Sequence, residues 1–161
     1  MKRMKVIIIG LGNQGKKRKS VAGDDVVATV DPYNSDADYV NYYDVPLERF
    51  DAALVCTGDV PKVEIISYLI THGKHVLVEK PLICSDTDTL HKLKADVETS
   101  GCVCYSAYNH RFEPHFIKMA NAIKSGDIGK IYSLRMFYGN GTARIVRDSA
   151  WRDNGAGILT D

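Results

Sequence analysis

The chain has 161 residues, 45% hydrophobic and 25% charged, which suffices for one full core and matches an ordinary globular domain. A net charge of +1 gives no overall field to draw in nucleic acid or an anionic membrane surface. No apolar run approaches the ~20 residues that cross a bilayer. We therefore expect no nucleic-acid partner, no membrane partner and a cytoplasmic location. There Cys56, Cys84, Cys102 and Cys104, which lack zinc-ligand spacing, remain thiols.

Met1–Lys5 and the apolar residues after it have the outline of a signal peptide, but Gly10, Gly12, Asn13 and Gln14 cut that run short. Residues 5–9 instead predict a strand buried on both faces. The turn Gly10-Leu11-Gly12-Asn13-Gln14-Gly15 leads into a helix predicted over 14–22, and Val26–Val30 is a second strand ending at Asp31-Pro32. Residues 33–50 are polar and tyrosine-rich and read as loop, with one short strand near Tyr42. Ala52–Cys56 is the third long strand. Residues 61–72 are a helix with Val63, Ile66 and Ile70 on its inner face, stopped by Gly73. His75–Val78 is a strand.

Ser85 is the expected N-cap of the next helix, with Asp86 and Asp88 in its first turn and Leu90, Leu93 and Val97 inward. Cys102–Ala107 is the fifth strand of the sheet. Pro114 opens a helix with Phe116, Met119, Ala120 and Ile123 inward. Ile131–Tyr138 alternates like an antiparallel strand covered on one side. Strands separated by helices of this length call for right-handed βαβ units and a doubly wound parallel α/β sheet, with ligands at the carboxyl ends of the strands.

Three stretches at those ends could carry chemistry. The glycine turn lies between a strand and a helix, with Asp31 at the end of the next strand, about 20 residues on. Gly10, Gly12 and Gly15 permit a tight turn and close approach of a pyrophosphate to the helix N-terminus, alongside Asn13 and Gln14. Asp31 suits ribose hydroxyls and repels a 2′-phosphate, so NAD is favoured over NADP. Lys16-Lys17-Arg18-Lys19 reads as a solvated face, with contact to a phosphate as the other possibility. Thr57-Gly58 ends the third strand beside the expected crevice. Glu79-Lys80-Pro81 ends the fourth and puts an ammonium group next to a buried strand, where proton transfer becomes accessible. Pro81 permits a cis bond. Tyr108-Asn109 follows the fifth strand.

These motifs, in this order, resemble the glucose–fructose oxidoreductase/inositol dehydrogenase (Gfo/Idh/MocA) family. The resemblance continues through Arg111-Phe112, Pro114, Gly126-Asp127-Ile128-Gly129, Trp151-Arg152 and Gly155–Asp161. It implies a Rossmann-type NAD-binding domain over 1–125 and, over 126–161, the beginning of an α+β substrate domain. It gives Lys80 the reacting oxygen of the substrate and Asp161 a part in orienting substrate. It adds Thr57, Gly58, Glu79, Lys80, Asn109, Trp151 and Arg152 to the cofactor contacts, and it implies a cis Lys80–Pro81 bond. It also implies a homo-oligomer formed through the second domain of a full-length protein.

The chain departs from the family after Thr57, where Gly58-Asp59-Val60-Pro61-Lys62 stands in place of Thr-Pro-Asn with a histidine soon after. Residues 31–51 are short for the fold, which trims a strand or helix. The resulting expectation is the amino-terminal half of an NAD-dependent oxidoreductase acting on a carbohydrate-like substrate: a sugar, nucleotide sugar or cyclitol. The 161 residues alone are expected to be inactive. A non-catalytic nucleotide-binding or scaffold fragment is the alternative.

Overall fold

The computed structural model describes residues 3–137. The chain divides into two compact units, with the break between Ala107 and Tyr108.

The first unit is a five-stranded sheet with parallel pairing throughout, in the order β2-β1-β3-β4-β5. The strands are β1 (Val6–Ile9), β2 (Val26–Val30), β3 (Ala52–Val55), β4 (His75–Val78) and β5 (Cys104–Ser106). β1 is buried at every position, as a strand covered on both faces must be. Its helices are α1 (Asn13–Ala22), α2 (Lys62–Thr71) and α3 (Thr87–Ser100). The core joins Ile7, Ile9, Val30, Phe50, Ala53, Val55, Ile65, Ile66, Leu69, Ile70, Val76 and Val78. Strand order reverses between β1 and β3, and that is where such sheets hold ligands.

Four local expectations are corrected. Residues 42–44 form a short 3-10 helix rather than a strand. β2 is consequently an edge strand, and its exposed side is closed by the loop itself. Asp38 Oδ2 accepts from both the backbone N–H (2.8 Å) and the hydroxyl (2.8 Å) of Thr29, and Tyr39 N–H donates to Thr29 O at 3.0 Å. An edge so occupied has few groups left to pair with another chain. Second, the N-cap of α3 is Asp86, not Ser85: Asp86 Oδ1 accepts from Thr89 N–H at 2.6 Å, and Ser85 only donates to the Asp86 carboxylate. A carboxylate is the stronger acceptor for an orphan helix N–H. Third, α2 buries Lys62, Ile65, Ile66, Leu69 and Ile70, while Val63 is only half-buried.

The fourth correction lies in the second unit, where a short 3-10 helix (Asn109–Phe112) precedes α4 (Pro114–Ser125). Met119 and Ile123 of α4 are more than 40% exposed, so the expected inner face is not buried. Residues 131–137 carry no strand, and Tyr132, Leu134 and Met136 are exposed; Tyr138 lies outside the described residues. An alternating pattern becomes a strand only with a ladder partner, and none exists for it among the described residues.

Candidate functional site

The glycine turn is shaped by two glycines that no other residue could replace without backbone movement. Gly10 has φ +94°, and a Cβ there would lie 2.8 Å from Cys56 O at the end of β3. Gly15 sits in the first turns of α1, and a Cβ on it would lie 1.8 Å from Gly10 O. These close approaches press α1 onto the carboxyl end of β1. Gly12, the N-cap, is different: a Cβ there meets nothing within 4 Å, so the helix end is open in front of it. Lys16 N–H bonds back to Gly12 O at 3.0 Å, so the N–H groups before it, including those of Asn13 and Gln14, have no acceptor inside the helix. No acidic residue occupies that first turn.

Asp31, half-buried at the end of β2, ties this turn to the neighbouring strand. Its Oδ2 accepts from Leu11 N–H at 2.6 Å, and its Oδ1 accepts from Tyr33 N–H at 2.8 Å and Asn34 N–H at 3.1 Å. A carboxylate has about four acceptor sites, so one remains toward the glycine turn. At the end of β3, Thr57 Oγ1 is buried with no hydrogen-bond partner among the described residues. Open space at a helix N-terminus, a carboxylate with one vacant acceptor site and an orphaned hydroxyl all fit a dinucleotide laid along this edge.

The Glu79-Lys80-Pro81 turn follows β4 on the same edge. β3 lies between β1 and β4, so the two turns are separated by two strand spacings, about 10 Å. The Lys80–Pro81 bond is cis. Lys80 is half-buried. Glu79 is buried, its N–H bonded to Val55 O at 2.8 Å and its Oε1 receiving Arg18 Nε at 2.6 Å. Beside it, burial and the Glu79 charge push the Cys56 thiol up to about 12, which disfavours its thiolate.

Two residues that sequence reasoning passed over hold this turn. Arg18, assigned to a solvated run, reaches from α1 to Glu79; Lys16, Lys17 and Lys19 around it are exposed. Lys62, at the start of α2, is buried, and its Nζ donates to Asp59 Oδ1 at 2.8 Å and to Pro81 O at 2.7 Å. Helical spacing carried the signal in both cases. Arg18 lies three residues after inward Gly15, and Lys62 lies three and four residues before inward Ile65 and Ile66.

Asn109 belongs to the second unit, in its short 3-10 helix. Trp151, Arg152 and Asp161 lie outside the described residues.

A family model described as an oxidoreductase family with an NAD-binding Rossmann fold matches residues 4–108. The chain is 28% identical over 127 residues to inositol 2-dehydrogenase 1 of Saccharopolyspora erythraea, a match covering 78% of this chain and 35% of that protein. It is 30% identical over 86 residues to myo-inositol 2-dehydrogenase of Thermotoga maritima, covering 53% and 25%. Its fold superposes with a TM-score of 0.70, at 19% identity, on scyllo-inositol dehydrogenase of Lactobacillus casei with bound NAD(H) and scyllo-inositol, covering 81% of this chain and 43% of that one. The chain thus spans about a third of the length of the first of these relatives. With the family model covering β1 through β5, the glycine turn and the Lys80 turn, the chain belongs to the Gfo/Idh/MocA oxidoreductase family.

Proposed function

We propose that the chain forms the cofactor-binding part of an NAD-dependent dehydrogenase acting on a sugar, nucleotide sugar or cyclitol. The observation that carries this reading is the joint placement of the open glycine turn, Asp31 and the Lys80 turn on one sheet edge. The named activities of the inositol dehydrogenase relatives support the substrate class.

Bound NAD supplies the hydride acceptor or donor. The protein's own residues bind, orient and polarise. Gly12 lets the pyrophosphate approach the N–H groups of Asn13, Gln14 and Gly15. Asp31 offers its remaining acceptor site to an adenosine ribose hydroxyl, and its charge disfavours the 2′-phosphate of NADP. Thr57 and Gly58 line the crevice wall. Lys80 directs its ammonium group at the reacting oxygen of the substrate and stabilises charge that grows there in the transition state. Glu79 shapes the turn that carries Lys80.

By family correspondence, Asn109, Trp151 and Arg152 complete the cofactor contacts and Asp161 orients the substrate. Residues 126–161 open the substrate domain, through which a full-length protein forms a homo-oligomer.

The test is calorimetric titration of the chain with NAD and NADP. NAD is expected to bind more tightly, and Asp31→Ala to weaken it by about 1–3 kcal/mol through loss of a charged acceptor. Tighter binding of NADP overturns the role of Asp31. Binding of neither nicotinamide nucleotide overturns the whole reading.

A further inference from the structure

Lys62 stands where a lysine is doubly unfavourable. It is buried, so its charge is removed from water. It also opens α2, where the helix dipole repels a cation. An apolar side chain of similar length would fill the same volume beside Ile65 and Ile66 without either cost. What the apolar chain could not do is donate hydrogen bonds. Lys62 Nζ donates to Asp59 Oδ1 at 2.8 Å, which compensates the charge, and to Pro81 O at 2.7 Å, which lies across the edge of the sheet.

That second bond lands one residue past Lys80. On the other side of Lys80 the chain is already anchored, by Glu79 N–H to Val55 O at 2.8 Å and by Arg18 to the Glu79 carboxylate at 2.6 Å. Downstream, residues 81–84 have no helix or strand to hold them. The Lys62–Pro81 bond therefore ties the turn to α2 on its downstream side. α2 is fixed in turn by Ile65, Ile66, Leu69 and Ile70 in the core, so the link transmits the rigidity of the core to the Lys80 turn.

We propose that Lys62 is a positioning residue for Lys80: by holding the Pro81 carbonyl to the start of α2 it fixes where the Lys80 side chain leaves the sheet edge. The inference deepens the reading of Lys80 as the group that meets the substrate oxygen and rests on it. It also accounts for Asp59 and Lys62 occurring together just after β3, since the carboxylate compensates the buried cation.

The experiment is proton–carbon NMR of the chain labelled at lysine, with the Lys80 side-chain signal identified by its loss in Lys80→Arg. In Lys62→Met the Lys80 signal is expected to shift and broaden more than that of any other remaining lysine. NADH affinity, followed by its fluorescence, should stay within about three-fold, because the glycine turn and Asp31 are untouched. A folded Lys62→Met chain with the Lys80 signal at its original position overturns the proposal. Should that variant not fold, Asp59→Asn replaces it, at a side chain that is 45% exposed. Removing the countercharge loosens Lys62, so movement of the Lys80 signal supports the proposal and an unmoved signal overturns it. A parent chain that fails to bind NADH removes the nucleotide reading instead, and leaves the dependence of Lys80 on Lys62 readable by itself.

Discussion

Gly12 and Gly15 lie one helical turn apart, and adding a methyl group to each should have opposite consequences. At Gly15 the new Cβ would sit 1.8 Å from Gly10 O, whereas ordinary contact begins at 3.4 Å. Relief requires α1 and the end of β1 to separate by the difference, 3.4 − 1.8 = 1.6 Å. Arg18 rides on the same helix, so its 2.6 Å bond to Glu79 would open to about 4 Å, past hydrogen-bonding reach. The overpacking costs roughly 1–3 kcal/mol, and a weakened pair around buried Glu79 adds to it. The better helix propensity of alanine returns only about 1 kcal/mol. A net loss of about 2–3 kcal/mol should lower the melting temperature by roughly 10 °C for a unit of this size.

At Gly12 a Cβ meets nothing within 4 Å. Gly12→Ala should therefore meet no steric cost and lose only the N-cap preference of glycine over alanine, about 1 kcal/mol, lowering the melting temperature by a few degrees. It should nevertheless bind NAD at least about ten-fold more weakly, a change of 1.4 kcal/mol or more, because the methyl group occupies the approach of the pyrophosphate. Thermal melts and NAD titrations of both variants decide the matter. Parent-like NAD affinity in Gly12→Ala would refute the placement of the pyrophosphate. A parent-like melt in Gly15→Ala would refute the close helix–strand contact.

Three further outcomes follow from the same geometry. Arg18→Met leaves Glu79 buried without its cation and should destabilise the first unit by up to about 3 kcal/mol, discounted because the Arg18 side chain is 25% exposed. The double variant Arg18→Met/Glu79→Gln should recover part of that loss in chemical denaturation, and an equal loss in both would show that the pair contributes little. The hydrogen bonds from Thr29 hold the Asp38 carboxyl below its ordinary 3.8. Its contribution to stability is complete above that value and is lost as pH falls through the lower folded value, so Asp38→Asn should lower the melting temperature at pH 7 and flatten its dependence on pH below about 4. A polypeptide of these 161 residues should bind NAD yet give no useful NADH formation at 340 nm with sugars or cyclitols. Orientation supplied by a complete substrate pocket accounts for roughly 7–11 kcal/mol of barrier reduction. Equal rates from this polypeptide and a longer parent would show that the site is misplaced.

Much of the fold can be read along the chain because its causes are local. Continuous apolar runs at Val6–Ile9 and Ala52–Val55, helical spacing in residues 61–72 and glycines at the ends of α2 and α3 each act within a few residues, so the alternation of strands and helices is legible. The glycine turn and Asp31 at the end of β2 are legible for the same reason. What periodicity could not assign depends on partners far apart in sequence. The stretch near Tyr42 has strand-forming residues, yet it lies in a loop whose Asp38 and Tyr39 take over the edge of β2. Ile131–Phe137 alternates like a strand, but alternation specifies a face and not a ladder partner. Arg18 meets Glu79 across 61 residues of chain and Lys62 meets Pro81 across 19. A cation in a polar run looks solvated until the packing of α1 and α2 on the sheet turns it inward, where Arg18 meets the Glu79 carboxylate and Lys62 meets the Asp59 carboxylate and the Pro81 carbonyl.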